Sequence, residues 1–145
     1  MKTLDKKGFN FLCELEGLRL EAYQDIKGIW TIGVGNTYYE DNTPVKQGDI
    51  ITKERAYELF ENIAKGFEKT INDNVKSEIN QNQFTALFYF CWNVGKAGFR
   101  NSTLLRVVNK NPNDKSSIAS AFLLWKGKKN ILLSRRNKEI AYYFK

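Results

Sequence analysis

The sequence predicts an α+β chain, mostly helical, in which a β-hairpin sits in a small lobe and a long helix bridges that lobe to the rest. Three observations carry this. Apolar residues recur at helical spacing over 4–15, 56–71 and 84–94. Residues 22–32 read instead as strand, turn and strand. The 145 residues contain no repeat, low-complexity segment or linker, so they are expected to form one domain with a real core.

The first helix draws on Leu4, Phe9, Phe11, Leu12 and Leu15 and should end near Glu16. Gly17 marks the stop, because glycine takes positive φ just past a helix C-terminus. Glu16 then lies in the last turn, where the helix dipole opposes a negative charge and so favours a proton donor. Next come Ala22-Tyr23-Gln24, the turn Asp25-Ile26-Lys27-Gly28, and Ile29-Trp30-Thr31-Ile32. Aspartate and glycine suit the turn, and the β-branched and aromatic flanks suit strands. Asp25 ends a strand in a polar turn, and alternation puts Ile29 and Thr31 on the face opposite Trp30 and Ile32. With the hairpin folded beside the helix end, Glu16, Asp25 and Thr31 face one cleft. Such a group suits glycoside hydrolysis: one acid protonates the leaving oxygen while a carboxylate works from the other side. Two acids nine positions apart are also common in any soluble chain.

Residues 36–49 are rich in turn formers and read as a loop with little regular structure. Tyr38 and Tyr39 there either stack on sugars or cover the core edge. Thr52 caps a long helix to about Asn74, with Glu54 in its first turn. Asn80 and Gln83 form a capping box for a helix that is apolar nearly all round and stops at Gly95, as the buried centre of a bundle would. Ser102 caps a helix through Lys110, and Asn111-Pro112-Asn113 breaks the chain. Ser116 or Ser117 starts a short helix through Ala121, Phe122 and Trp125. Gly127-Lys128-Lys129-Asn130 is a basic loop. The last helix runs from about Leu133 to Phe144, with Ile140, Ala141 and Phe144 inward.

Composition narrows the chemistry. Hydrophobic residues make up 42% and charged residues 27%, as in ordinary soluble globular proteins. A net charge of +7 points to an anionic partner (nucleic acid, membrane or cell-wall polymer) or serves solubility alone. There is no histidine, which excludes Ser-His-Asp and Cys-His catalysis and most zinc sites. Cys13 and Cys91 each lie in an apolar helical pattern and read as reduced thiols without metal-ligand spacing. The N-terminus is too polar for a signal peptide, and no apolar run is long enough to cross a membrane.

Glu16, eight residues, Asp25, five residues, Thr31 and then Ile32-Gly33-Val34-Gly35 resembles the catalytic signature of phage-type lysozymes, glycoside hydrolase family 24. Glu16-Gly17-Leu18-Arg19-Leu20 and Tyr23-Gln24-Asp25 share in the likeness. It is sharp over 16–35, fair over 83–105 and loose over 120–144. The resemblance implies a single lysozyme-like domain over 1–145. Its small β-containing lobe would span about 13–60 and its helical lobe about 1–12 and 61–145, with the active-site cleft between them. It implies a muramidase that cleaves the β-1,4 bond between N-acetylmuramic acid and N-acetylglucosamine. Glu16 would be the general acid, and Asp25 with Thr31 would direct water. Trp92, Asn93 and Ser102 would bind substrate, and Arg136 would pair with the acid. No metal or cofactor is implied, and no nucleic acid; the partner is bacterial peptidoglycan, met by a monomer without stable membrane insertion. The protein would be made in the host cytoplasm and reach the wall through a separate membrane-permeabilising protein. Asn36 stands where the family often has histidine, and Lys129-Asn130-Ile131-Leu132 replaces its glycine-rich segment.

Two other readings stay open on residues alone. A lytic transglycosylase needs a single acid/base, although Asp25 and Thr31 at the family's spacing argue against it. A basic helical module could bind glycan or nucleic acid without catalysis, yet the lysines are scattered and no nucleic-acid motif is visible.

Overall fold

The computed structural model describes residues 1–145. It contains seven α-helices and one two-stranded antiparallel sheet. The helices are α1 (Lys6–Glu16), α2 (Lys53–Asn74), α3 (Gln81–Val94), α4 (Lys96–Arg100), α5 (Thr103–Lys110), α6 (Lys115–Leu123) and α7 (Leu133–Tyr143); the strands are β1 (Arg19–Gln24) and β2 (Trp30–Gly33). The chain divides into two compact units, residues 9–66 and residues 1–8 with 67–145. The boundary falls inside α2, after Gly66.

In the unit of residues 9–66, Gly17 has φ +77° and donates its N–H to the Cys13 carbonyl at 2.7 Å, which ends α1 at Glu16. The hairpin pairs Tyr23 with Thr31 and Gln24 with Trp30, and the register shifts before Arg19 meets Gly33. Ala22, Ile32, Val45 and Leu59 form a small core, roofed by Trp30, Tyr39, Ile51 and Ile63.

The expected loop over 36–49 is more ordered than its composition suggests. Val45 N–H donates to the Thr37 carbonyl at 3.1 Å, and Ala22 N–H donates to the Asp49 carbonyl at 2.9 Å. Tyr39 joins the core edge while its hydroxyl donates to Asp49 Oδ2 at 2.7 Å. Residues suited to turns still find a fixed course once an apolar residue such as Val45 is buried among them.

In the other unit, α3 is buried continuously from Gln83 to Cys91, and the Asn80–Gln83 capping box is complete on both sides. Phe90 lies edge-on to Phe122 and Trp125, and Tyr89 lies edge-on to Tyr142.

Three expectations are corrected here. Asp114, not Ser116 or Ser117, caps α6: its side chain accepts the Ser117 N–H at 3.3 Å, so the helix starts at Lys115 and stops at Leu123, short of Trp125. The basic loop makes a 3₁₀ turn, Lys128–Asn130, with Lys129 and Asn130 at positive φ. On α7 the inward residues are Arg136, Glu139, Tyr142 and Tyr143, while Ala141 is exposed and Ile140 and Phe144 are half-buried. An apolar count cannot see that a carboxylate between two guanidinium groups can be buried as a pair.

Candidate active site

Within residues 9–66, Glu16, Asp25 and Thr31 are each positioned by a separate local device. Glu16 closes α1 and is half-buried. Its carboxylate lies over the turn after β2. A Cβ at Gly35 would stand 2.6 Å from Glu16 Oε2 and 2.9 Å from its Cδ, so any larger residue would displace that carboxylate, and the φ of +72° there favours glycine as well. That turn is held by Ile32 and Asn36, which exchange two backbone hydrogen bonds of 2.8 and 2.9 Å. Asn36 is 3% exposed, and its Oδ1 accepts the Val34 N–H at 3.3 Å.

Asp25 is fixed by the hairpin turn. Its Oδ1 accepts the N–H groups of Lys27 at 2.8 Å and Ile29 at 2.9 Å, and its own backbone pairs with Ile29 and Gly28. Thr31 is 3% exposed, and its hydroxyl donates to the Ile29 carbonyl at 2.9 Å.

Tyr23 ties the two carboxylates to one place. It is directly opposite Thr31 in the sheet and two residues before Asp25. Its phenol is held above the ordinary tyrosine value by burial first, then by the negative charge of Glu16, with Arg19 opposing and Asp25 adding to the rise. Both acids are therefore near one hydroxyl. The Arg19 guanidinium lies 4.5 Å above the Tyr23 ring. Sequence reasoning noted Tyr23 only as part of a motif; strand alternation, which gives Tyr23 and Asp25 the same side, was the available signal.

A phage lysozyme family model matches residues 13–139. The chain belongs to the phage lysozyme family. It is 41% identical to the endolysin of Salmonella phage P22 over 146 residues, spanning 99% of each chain. It is also similar to the solved endolysin from Escherichia coli O157:H7 phage FAHEc1, with a TM-score of 0.84 and 31% identity over 98% of this chain and 93% of that one. The muramidase domain of SpmX from Asticaccaulis excentricus gives a TM-score of 0.82 at 27% identity over 100% of this chain and 99% of that one.

In this phage lysozyme the remaining expected site residues lie in the unit of residues 1–8 and 67–145. Trp92 is half-buried, stacked on Phe88 with centroids 5.7 Å apart and tilted against Phe67 at 4.8 Å. Asn93, one residue on, accepts a hydrogen bond from Arg136 through its Oδ1. Arg136 is fully buried. It also donates to Glu139 Oε1 at 2.5 Å and to the Trp125 carbonyl at 3.0 Å, and it lies 5.1 Å over the Phe90 ring. Arg135 completes the group, donating to Glu139 Oε2 at 3.0 Å and to the Tyr89 carbonyl at 2.9 Å. Burial pushes the Glu139 carboxyl upward, against the two arginines that favour its charge. Ser102 is 3% exposed; its hydroxyl accepts the Leu105 N–H at 3.0 Å and donates to the Phe99 carbonyl at 2.7 Å, the bonds of an N-cap.

Proposed function

We propose that this phage lysozyme hydrolyses the β-1,4 bond between N-acetylmuramic acid and N-acetylglucosamine with Glu16 as general acid and Asp25 and Thr31 as directors of water. The chain is a peptidoglycan-degrading glycosidase by family. The observation that carries the residue roles is that Glu16 and Asp25, set on a helix end and a hairpin turn, both lie near Tyr23, opposite Thr31.

The chemistry follows from which atoms are already engaged. Glu16 gives its proton to the leaving oxygen as the glycosidic bond breaks. Both backbone bonds to Asp25 use Oδ1, so Oδ2 is left to accept from a water and to take its proton as the oxygen attacks the anomeric carbon. The Thr31 hydrogen goes to the Ile29 carbonyl, so the lone pairs of Oγ1 accept the other hydrogen of that water. The reaction so written uses no metal or cofactor. Trp92 and Asn93 supply an apolar wall and an amide for the sugar, with Arg136 holding the amide. No helix is long and apolar enough to cross a membrane, and on this reading release to the wall depends on a separate membrane-permeabilising protein.

The test is Glu16→Gln on purified cell walls, with release of reducing ends as readout. Loss of activity with an unchanged melting curve is expected; lysis at the normal rate overturns the role of Glu16. Mass spectrometry of the fragments separates hydrolysis, which adds a water, from an anhydro-sugar product.

A further inference from the structure

A water poised to attack a sugar has four directions to satisfy. Its two hydrogens go to Asp25 Oδ2 and Thr31 Oγ1 on the reading above, on which this inference rests. One lone pair faces the anomeric carbon. The other needs a donor, and neither Asp25 nor Thr31 offers one: the first is an acceptor when ionised, and the hydrogen of the second already belongs to the Ile29 carbonyl.

We propose that Tyr23 is a further catalytic residue: its hydroxyl donates the hydrogen bond that completes the cage around the attacking water, and Arg19 holds its ring in place. The register sets Tyr23 directly across from Thr31, and cross-strand neighbours have side chains about 5 Å apart at Cβ. Asp25 lies two residues on, at the strand end and with the same alternation. The ring is half-buried, with the Arg19 guanidinium 4.5 Å over its face. Beside two carboxylates the phenol keeps its proton through neutral pH, so it acts there as a donor and not as a competing anion. The proton of Tyr23 is not transferred. The water proton goes to Asp25, the proton of Glu16 goes to the leaving oxygen, and Tyr23 only orients the oxygen between them.

Tyr23→Phe tests this, since it keeps the ring under Arg19 and deletes only the oxygen. Kinetics on soluble peptidoglycan oligomers of defined length should show kcat reduced about 3- to 10-fold, the range for losing one hydrogen bond between neutral groups. KM should stay within about twofold, since the bond is made to water and not to the bound sugar. A merely structural ring would leave kcat untouched in this variant. A kcat within twofold of wild type overturns the proposal. Should Tyr23→Phe fold poorly, Arg19→Gln, at an exposed position, frees the ring instead; a fall in kcat at unchanged KM supports the proposal, and wild-type kcat overturns it. Glu16→Gln is assayed alongside. If it retains the wild-type rate, the assignment of the acid has failed; if it is dead while Tyr23→Phe is fully active, only the water cage has failed.

Discussion

Gly35→Ala isolates how tightly Glu16, the proposed general acid, is seated. The new Cβ would stand 2.6 Å from Glu16 Oε2, 2.9 Å from Cδ and 3.2 Å from Cγ, where ordinary contact begins at 3.4 Å. The carboxylate or the turn must therefore give by about 0.8 Å, from the difference between the first and last of those distances. Alanine at φ +72° also strains the backbone by about 1–2 kcal/mol. For a chain of this size that lowers Tm by about 3–8 °C. A displacement of this order at a catalytic group costs about 100-fold in rate. Gly48→Ala separates the two effects. It has φ +89° and nothing within 4 Å of its would-be Cβ, so it carries the backbone strain without the collision. Reducing-end release from defined peptidoglycan at a temperature well below both melting points is the assay. Expected are similar losses of Tm in both variants, near-normal activity in Gly48→Ala, and about 100-fold loss in Gly35→Ala. Equal activity in the two would refute the contact between Glu16 and the Gly33–Gly35 turn as a determinant of catalysis.

Three further outcomes follow from groups outside the proposed catalytic trio. Cys91 is buried and its thiol is pushed up to about 12 by burial, and Cys13, half-buried, is also raised, so a thiol reagent at pH 8 should leave Cys91 unlabelled until denaturant is added. Glu40 is pulled down to about 2 from 4.5, chiefly by its hydrogen bonds with Arg55. A depressed carboxylate stabilises the fold above its unfolded value and ceases to do so as pH falls from about 4.5 through about 2. About a third of each side chain is exposed, so solvent screening reduces the contribution to about 1 kcal/mol. Arg55→Gln should lower stability by that amount at pH 7 in urea titrations, with the gap closing below about pH 3. Glu139→Gln leaves two arginines around an uncompensated buried site and should cost about 3 kcal/mol, read as a Tm fall of about 6–12 °C. The double change Arg136→Met with Glu139→Leu should cost less than Glu139→Gln alone, since no buried charge is stranded.

The parts of the fold legible in the sequence are those specified by neighbours along the chain. Gly17 ends α1 beside Glu16 because a left-handed residue there closes a bond to Cys13, and a glycine after an apolar helix says so directly. Asp25 and Gly28 make a turn for the same local reason, and the capping box at Asn80 and Gln83 needs only three residues of context. Asp114 was missed because serines two and three residues later compete for the same role, and the choice depends on where α6 is anchored by burying Ile118 and Ala121. The inward face of α7 was misread because its central contact is an ion pair, and hydrophobic periodicity treats arginine and glutamate as outward by default. The spacing of Glu16, Asp25 and Thr31 suggests the proposed trio, whereas the place of Tyr23 beside them rests on the hairpin register and on Gly35 lying under Glu16.

Asn36 shows what the site gains from being built on backbone. The turn from Gly33 to Gly35 is closed by two main-chain bonds between Ile32 and Asn36, and the Asn36 amide ties down Val34 within it. An amide does not titrate, whereas a histidine at this place would change charge between pH 5 and 8. The turn beneath Glu16 is therefore held by groups whose charge is constant over that range. The same logic applies to Asp25, whose Oδ1 is held by two N–H groups of its own turn. Backbone donors and a neutral amide fix both the turn beneath Glu16 and the turn that carries Asp25.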